Sequence, residues 1–547
     1  MGLGVLENRS HNQHVPGTVI LAEKESNPVH NSGTAKHGTG KHKDIILTPQ
    51  PSNDPNDPLN WPYYKKVLVV LILVYGSCLC ACSTGPLLNA SLFVLSQQFN
   101  RPIGDITVLS GYQLLVAGAS GPFLSAFSRK YGKRPVFVFS SFACLIGTII
   151  GSASNSYSTL LAARVIQGLS LAAYESLVFT VVGDIFFVHE RGFWTSVMAF
   201  TLTCVSNLSS VVAGKITFSL GWHYLFHILN ACLGLQIILL LLFVPETSYI
   251  RHDVFGQTQL EVENRQDNAT PKEETEAYRV ENVEMESTNV PVKKSFLQEM
   301  AIFTGSYSDD RLIPLVIAPI VSCANLAALW TIVITGTITS FYVAVAYVIA
   351  QLFSPPPYLL SAAAVGYMSV GPFIGGALGS IAVGLVMDPL TIWLTKKNNG
   401  VYEPEFRLVT CVFGLLCGAS LFGFGAVSQS QGNIYIIDFM WGLTLFGTAF
   451  IIGPCSTYAL DAFRGMSNEI FIANVMFKNF LFYGYSYFVN NWTGSAGPVP
   501  PFFTFGGISL GLVATTAIVY VFGKRYRSFW HAHNILDKAG INTHPGI

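Results

Sequence analysis

Four ionisable side chains stand inside long apolar stretches of the chain and are the first candidates for chemistry. They are Arg164, Glu175, Asp438 and Lys478. A charge at the centre of a bilayer costs about 2.5–3.5 kcal/mol on insertion scales, so such residues are candidates for function. Arg164 and Glu175 are eleven positions apart, which puts them on one helix face but about 16 Å from each other. Each therefore needs a partner on another helix or in a water-filled cavity.

Glu175 is the first candidate for proton coupling. Removal from water disfavours the charged form of a carboxyl group, so Glu175 could exchange a proton or neutralise a cationic substrate. The alternative is a structural ion pair. Asp438 lies only a few residues into its apolar stretch, where a solvated interfacial role and a binding role are both open. Lys478 could extend its ammonium group to the interface or form a structural pair, including one at a gate.

Aromatic and amide side chains could contact a substrate beside these charges. Ring faces attract organic cations, and interfacial belts or packing are the alternative. The aromatic candidates are Tyr75, Trp330, Tyr342 and Trp441. The amide candidates, for which interhelical hydrogen bonds are the alternative, are Asn89, Gln113 and Asn325.

Other chemistries have little support in the sequence. His223 and His227 have the i, i+4 spacing of a metal pair, but no acidic residue stands nearby, and we expect no metal site. The apolar stretches contain no phosphate-binding loop, so no motif in them indicates coupling to ATP. We expect neither an enzyme nor a cofactor. Asn491, in the triplet Asn-Trp-Thr, is a glycosylation candidate.

The apolar stretches themselves predict membrane-spanning helices. Only 11% of the 547 residues are charged, against about 25% in globular domains, and the net charge of zero indicates neither nucleic acid nor an acidic partner. A helix that crosses a ~30 Å hydrocarbon core needs about 20 apolar residues. We predict twelve such spans, at 67–95, 106–127, 135–152, 158–181, 193–215, 224–244, 315–348, 358–386, 406–427, 433–458, 469–490 and 502–523.

Positive charges orient these spans. Cytoplasmic loops collect Lys and Arg, and here loops rich in them alternate with loops that hold only Arg101 and Lys215. The largest cytoplasmic group, between the second and third spans, comprises Arg129, Lys130, Lys133 and Arg134. An even number of spans then places both termini in the cytoplasm.

The chain divides into two halves of six spans. We predict a disordered cytoplasmic tail at 1–60, an N-terminal half at 61–246, a cytoplasmic linker at 247–310, a C-terminal half at 311–523 and a short cytoplasmic tail at 524–547. The first tail lacks aromatic residues and the linker is polar and acidic, which is typical of disorder. Two halves of six spans favour a transporter with a central site between them.

Five short motifs carry a family resemblance. In chain order they are "NDPLNWP" before the first span, "YGKRP" after the second, Arg164-x-x-Gln167-Gly168 in the fourth, "PETS" ending the sixth and "NNGVYEPEFRL" before the ninth. Over residues 51–530 the chain resembles the major facilitator superfamily, in particular its fungal twelve-span drug:proton antiporters. The stretches "PSNDPNDPLNWP" and "VYEPEFRL" are similar to the subgroup that includes the yeast histidinol and polyamine uptake permease.

The resemblance implies an all-helical major facilitator fold that rocks two six-helix halves about a central site. Spans one, four, seven and ten would line the cavity, so Glu175 and Asp438 would face it from opposite halves. A charge-paired gate would close the cytoplasmic side. Its candidate residues are Arg129, Lys130, Gly132, Lys133, Arg134, Gly384 and Asp388.

Two places depart from the family pattern. The loop after span two ordinarily begins with Gly and Asp four residues apart, but Ser125 and Arg129 stand there. Gly384 and Asp388, after span eight, are the better-preserved counterpart. In span five, residues 209–214 lack the paired Gly-Pro and Gly-Gly that antiporters of the family tend to carry. The direction of transport therefore stays open.

We therefore predict proton-coupled movement of a small organic molecule, with export of drug-like or secondary-metabolite compounds as the first hypothesis. Uptake of a polyamine-like cation is the alternative, and a non-transporting sensor on a carrier scaffold is a third. The expected partners are the substrate, protons and the lipid bilayer. The resemblance favours a monomer in the plasma membrane.

Overall fold

Long helices dominate the structure. The computed structural model describes residues 5–6, 18–20, 52, 54–249, 293–308, 311–398, 400–463 and 466–533. Within these residues we number the long helices in chain order. They are α1 Tyr63–Ser83, α2 Ile103–Tyr131, α3 Lys133–Ser152, α4 Tyr157–Ile185, α5 Phe193–Ser219, α6 His223–Phe243, α7 Leu326–Phe353, α8 Ala362–Lys397, α9 Pro404–Gln429, α10 Ile434–Ala462, α11 Ser467–Ala496 and α12 Val499–His531.

Shorter elements join these helices. A helical stretch at 188–192 leads into α5. The separate short helices are Pro58–Asn60, Pro86–Ser91, Leu92–Phe99, Phe296–Glu299 and Leu312–Ser322. Two short strands, β1 Val19–Ile20 and β2 Val401–Tyr402, form an antiparallel pair.

Ten of the long helices in the described part of the chain are apolar enough to cross a membrane by composition alone. The other two, α2 and α11, are as long, at 29 and 30 residues, but more polar. They pack against each other across the boundary between the halves. Gly104, Gly111 and Gly118 of α2 face α11 at seven-residue intervals, and a β-carbon on Gly111 would lie 2.0 Å from the Ser486 hydroxyl oxygen. The predicted all-helical membrane bundle is confirmed.

Three predicted spans are interrupted in the structure, one of them by a turn after Tyr367 in α8. The span predicted at 67–95 is α1 followed by the short helices Pro86–Ser91 and Leu92–Phe99. The span predicted at 315–348 divides into Leu312–Ser322 and α7. Asn325 explains the break before α7, because its Oδ1 atom accepts hydrogen bonds from the backbone N–H groups of Ala327 and Ala328 at 3.0 and 3.2 Å. This is a helix N-cap, which begins α7 anew.

Three helices of the N-terminal half contain a wide π-helical turn. These turns are Cys78–Ser83 in α1, Ala173–Leu177 in α4 and Thr201–Val205 in α5. A π turn inserts an extra residue into a helix and often marks a functional position. The turn in α4 contains Glu175, so the residue that the sequence singles out lies where the helix departs from regular geometry.

Parts of the predicted N-terminal tail are described in the structure. The sequence predicts disorder over 1–60, but β1 pairs with β2, and the Thr18 hydroxyl donates a hydrogen bond to Glu403 Oε2 at 2.8 Å. Val5 is buried against Phe406. Backbone pairing and apolar burial therefore attach these tail residues to the C-terminal half. Of the remaining tail, the stretches 1–4, 7–17, 21–51 and residue 53 lie outside the described residues.

Two further predicted boundaries differ from the structure. The end of the linker packs against the bundle, where Lys65 Nζ forms an ion pair with Glu299 Oε2 at 2.7 Å. Helix α12 continues beyond the predicted end of its span because Arg527 is buried in ion pairs with acidic side chains. Residues 250–292, 309–310 and 534–547 of the predicted linker and C-terminal tail lie outside the described residues.

Gly375 provides a test of helix packing. A β-carbon on Gly375 of α8 would lie 2.0 Å from the Gly442 carbonyl oxygen of α10, whereas one on Gly384, in the same helix, meets nothing within 4 Å. We expect Gly375→Ala to destabilise the protein by about 1–3 kcal/mol through overpacking. The matched Gly384→Ala should leave stability unchanged or raise it slightly. Thermal unfolding of the purified protein in detergent measures both, and equal melting temperatures would contradict the α8–α10 contact.

Candidate transport site

Glu175 and Lys478 form an ion pair between the two halves of the bundle. Glu175 lies on α4 and Lys478 on α11, and the Lys478 ammonium group donates a hydrogen bond to Glu175 Oε1. Asn479 Nδ2 donates to the other carboxylate oxygen at 3.4 Å. The two charged side chains are 16% and 18% exposed, so both are largely removed from solvent. Sequence reasoning identified each residue but did not predict that they are partners.

Tyr174 holds the helix segment next to Glu175 in place. Its hydroxyl is hydrogen-bonded to Ser141 Oγ at 2.6 Å and accepts a bond from Gln236 Nε2 at 2.8 Å. Gly76 of α1 lies so close that a β-carbon there would be 2.5 Å from the Tyr174 ring. The N-terminal half therefore fixes the backbone beside Glu175, while Lys478 belongs to the other half.

The ion pair depends on both of its charges. Opposite charges interact strongly where the effective dielectric constant is low, and each charge would be costly to leave unpaired there. The contact between α4 and α11 at this point is therefore electrostatic as well as steric.

Arg164 has different partners from Glu175. It is fully buried, and its Nη1 atom donates to the Thr84 carbonyl oxygen at 2.7 Å and to Gln167 Oε1 at 3.1 Å. Gln167 Nε2 in turn donates to Thr148 Oγ1 at 2.9 Å. A β-carbon on Gly168 would lie 2.4 Å from the Gln113 carbonyl oxygen, so this motif also brings α4 close to α2.

Asp438 lies apart from this ion pair. It is in the second turn of α10, where a β-carbon on Gly371 of α8 would lie 2.5 Å from Asp438 Oδ1. One turn further into α10, Trp441 stacks on Tyr342 with ring centroids 6.1 Å apart. The Tyr342 hydroxyl donates to Asn207 Oδ1 of the opposite half. Asn207 was not anticipated, because a single amide in an apolar helix carries no motif.

Several other candidates have structural partners. Trp330 Nε1 donates to Thr515 Oγ1 at 2.8 Å, and the Tyr75 hydroxyl donates to the Cys232 carbonyl oxygen at 3.3 Å. Asn325 caps α7. Asn89 Oδ1 and both amide atoms of Gln113 have no hydrogen-bond partner among the residues described.

The histidine pair and Asn491 also have defined surroundings in the structure. A ring nitrogen of His223 lies 3.0 Å from the Ser154 carbonyl oxygen, and His227 packs edge-on against Tyr224. Asn491 is exposed but lies within α11, whereas glycosylation acceptors usually occupy loops. Its glycosylation stays a prediction.

An ion pair in the predicted cytoplasmic gate joins the two halves. Arg129 Nη1 donates to Glu469 Oε1 at 2.9 Å, joining the end of α2 to the start of α11. Lys133 pairs instead with Asp184 at the end of α4, within the N-terminal half. The Lys130 carbonyl oxygen accepts a hydrogen bond from the backbone of the linker. The loop itself has no carboxylate at the position of Arg129, and the carboxylate that pairs with this arginine belongs to Glu469 of α11.

Glu246, from the "PETS" motif, caps the start of α3. Its carboxylate oxygens accept hydrogen bonds from the backbone N–H groups of Lys133 and Arg134, both at 3.0 Å. Gly132 has a φ of 96°, and a β-carbon there would lie 2.3 Å from Glu246 Oε2. The Arg134 side chain is buried and donates to the carbonyl oxygens of Leu241 and Glu299. These contacts give a structural reason for the residues of the "YGKRP" and "PETS" motifs.

The corresponding region of the C-terminal half is centred on Arg407. Arg407 Nε lies 2.8 Å from Asp461 Oδ2, and Nη1 lies 3.5 Å from Asp388 Oδ1. The Tyr402 hydroxyl donates to the same Asp461 oxygen at 2.5 Å. Burial and the Asp461 charge raise the pKa of the Tyr402 hydroxyl above its usual value, so it remains a donor. A β-carbon built on Gly384 would have no neighbouring atom of the described residues within 4 Å.

A buried ion cluster fastens α12 to the start of α9. Arg527 donates to Glu405 through Nε and Nη2 and to Glu403 through Nη2, at 2.9 to 3.0 Å. Lys524 adds a contact to Glu403 at 2.6 Å. The two glutamates belong to the "VYEPEFRL" motif, which the sequence identified only as a family signature.

Comparison with known proteins gives matches over most of the chain. A sequence model described as the Major Facilitator Superfamily matches residues 71–482. An uncharacterized MFS-type transporter of Schizosaccharomyces pombe is 24% identical over 97% of each chain. Protein HOL1 of Saccharomyces cerevisiae is 22% identical over 98% of this chain and 99% of its own. The xylose transporter XylE from E. coli, which a second structure describes as a proton:xylose symporter, has a TM-score of 0.55 at 13% identity, covering 82% of this chain and 98% of its own.

The ion pair provides a test in the form of a double-mutant cycle. We expect Lys478→Met to destabilise the protein by about 1–3 kcal/mol, because it leaves the Glu175 carboxylate without its counter-ion. The double variant Glu175→Gln with Lys478→Met should recover most of that loss, since it removes both charges. Thermal unfolding in detergent at pH 7 measures all variants. Additive losses in the double variant would contradict a direct pair.

Proposed function

The chain belongs to the Major Facilitator Superfamily, and we propose that it is a proton-coupled carrier whose coupling element is the ion pair between Glu175 and Lys478. The protein is a multi-pass integral membrane transporter and not an enzyme. The predicted family is confirmed. The observation that carries the proposal is the position of the pair, with one charge on each half of the bundle.

The proposed cycle uses proton transfer to the Glu175 carboxylate. When Glu175 is charged, it attracts Lys478 and holds α4 against α11. When it takes up a proton, the attraction is lost and the two halves can rock about the central site. Release of the proton on the other side of the membrane restores the pair. A cationic substrate could replace the Lys478 ammonium group at the same carboxylate, which would make proton binding and substrate binding exclusive.

For the direction of transport, our first proposal is export of drug-like or secondary-metabolite compounds. Uptake of a polyamine-like cation is the second, and the resemblance of "PSNDPNDPLNWP" and "VYEPEFRL" to a permease subgroup favours it. We propose that the carrier is a monomer and that it lies in the plasma membrane, as is usual for the family. A sensor role is a third proposal, and deletion of residues 1–50 tests it, because a carrier should retain flux while a sensor should lose its output.

Flux measurements in yeast that lacks its own carriers test the proposal. Labelled spermidine and a cationic dye are compared at two external pH values, for wild type, Glu175→Gln and the control Glu190→Gln. For an exporter, lower external pH should reduce dye accumulation; for an importer, it should increase spermidine uptake. Both effects should vanish in Glu175→Gln, because an amide cannot exchange a proton, and persist in the control.

The two directions have separate readouts in this experiment. Uptake that depends on Glu175 supports the polyamine-type importer, and dye exclusion that depends on it supports the exporter. Normal transport by Glu175→Gln across the pH gradient would contradict coupling through this residue.

A further inference from the structure

The side-chain amide of Asn479 has one end paired and one end free. Asn479 lies on α11 beside Lys478 and is 1% exposed. Its Nδ2 atom donates to Glu175 Oε2 at 3.4 Å, whereas its Oδ1 atom has no hydrogen-bond partner among the described residues. A buried acceptor without a partner loses its hydrogen bonds to water, and most such groups in folded proteins are paired. The free oxygen beside the Glu175 carboxylate therefore needs an explanation.

Close packing holds the backbone of Asn479 in this position. A β-carbon on Gly118 of α2 would lie 3.2 Å from the Asn479 β-carbon, so α2 and α11 are in close contact here. Lys478 and Asn479 are consecutive, and side chains at consecutive helical positions point about 100° apart. They approach the same carboxylate from two sides, Lys478 at Oε1 and Asn479 at Oε2. The terminal amide of Asn479 can still turn about its Cβ–Cγ bond, which has two broad preferred orientations.

A side-chain amide can serve both protonation states of a carboxyl group. A charged carboxylate only accepts hydrogen bonds, and the Nδ2–H group of Asn479 is a donor. A protonated carboxyl group has an O–H to donate, and the Oδ1 atom of Asn479 is an acceptor. A turn of about 180° about the Cβ–Cγ bond exchanges the two ends of the amide. The oxygen that is free beside the charged carboxylate is therefore the partner that the protonated form needs.

The other groups around Glu175 do not supply that acceptor in the same way. Lys478 is a donor only, so it cannot accept the O–H of a protonated carboxyl group. The Cys82 thiol of α1 interacts with Glu175 electrostatically, and sulfur is a weak acceptor. The stretch 113–128 of α2 contains no ionisable side chain. The amide oxygen of Asn479 is the strong acceptor that already belongs to a hydrogen-bonded partner of the carboxylate.

We propose that Asn479 is a positioning residue that holds the Glu175 carboxyl group in both protonation states, through Nδ2–H when the group is charged and through Oδ1 when it carries a proton. The inference rests on the proposed coupling at Glu175 and deepens it. The proton comes from water in the transport pathway and goes to Oε2, while Asn479 turns and exchanges no proton. The carboxyl group then keeps one partner when Lys478 separates from it, and stays in place for the ion pair to form again.

The two contacts differ in strength, which gives the expected effect its direction. A hydrogen bond to a charged acceptor is roughly twice as strong as one between neutral groups. Asn479 therefore stabilises the charged form of the Glu175 carboxyl group more than it stabilises the protonated form. Replacement of Asn479 by an apolar residue removes both contacts, so the proton should bind to Glu175 at higher pH than in the wild-type protein.

Infrared difference spectra of the purified full-length protein over a range of pH test the inference. The band of the protonated Glu175 carboxyl group is the one that Glu175→Gln removes. In Asn479→Leu, which has nearly the same shape, the midpoint of that band should move to higher pH by about 0.5–1 unit. The band should also shift to higher frequency, because the O–H group loses its acceptor. A midpoint and a band that stay at their wild-type positions would overturn the inference.

Two more variants control for packing. Asn491→Leu changes an exposed asparagine on the same helix and should alter neither the midpoint nor the band. If Asn479→Leu does not fold, Asn479→Asp decides. It keeps the shape of the side chain and places a second carboxylate beside Glu175, so repulsion between the two should move the midpoint to higher pH by about one unit or more. An unchanged midpoint in Asn479→Asp overturns the proposal.

Failure of the proposed coupling has a different signature. If Glu175→Gln removes no titrating band and transports normally across a pH gradient, the coupling is wrong and the role of Asn479 is wrong with it. If Glu175→Gln removes the band and abolishes pH-dependent flux, but Asn479→Leu leaves the midpoint and the band unchanged, only the role of Asn479 is wrong. A shifted midpoint and band together with Glu175-dependent flux support both.

Discussion

A pair of opposite charges, Glu175 and Lys478, joins the two six-helix halves of the membrane bundle. Glu175 and Lys478 are both largely buried, and removal of either partner would leave a buried charge without its counter-ion. The carboxylate is held by an anchored segment of α4, because Tyr174 is fixed by Ser141 and Gln236. In the cycle we propose, loss of the charge on Glu175 or a competing cation breaks this pair and allows the halves to separate.

The contacts around the pair differ along the bundle. Glycines at seven-residue intervals on α2 allow α11 to pack closely against it. The cytoplasmic ends are held by hydrogen bonds and ion pairs. Glu246 fixes the start of α3, and Arg527 fixes α12 to the start of α9, each within a single half. Arg129 and Glu469 form an ion pair between the two halves there. Each half therefore has polar contacts of its own at its cytoplasmic end, while other polar contacts, such as those of Tyr342 with Asn207 and of Asn490 with Thr107, cross between the halves.

The sequence predicted the architecture well because apolar length and the position of Lys and Arg report directly on membrane crossing. Glu175 and Lys478 were found for the same reason, since a charge in an apolar helix is conspicuous. Their pairing could not be predicted, because it depends on which faces of α4 and α11 meet. Predicting the break before α7 would have required recognising Asn325 as a helix N-cap. Tail residues such as Val5 and Thr18 were missed because pairing with a partner nearly 400 residues away leaves no local pattern.

That last contact bears on how the protein is made. Strand β1 is among the first parts of the chain to leave the ribosome, whereas β2 follows only after eight long helices have been synthesised. Until then the strand has no partner, and Thr18 has no Glu403 to bind. Pairings of such high sequence separation form late in folding. The attachment of the tail therefore becomes possible only once synthesis has reached the start of α9, when eight of the twelve long helices have been made.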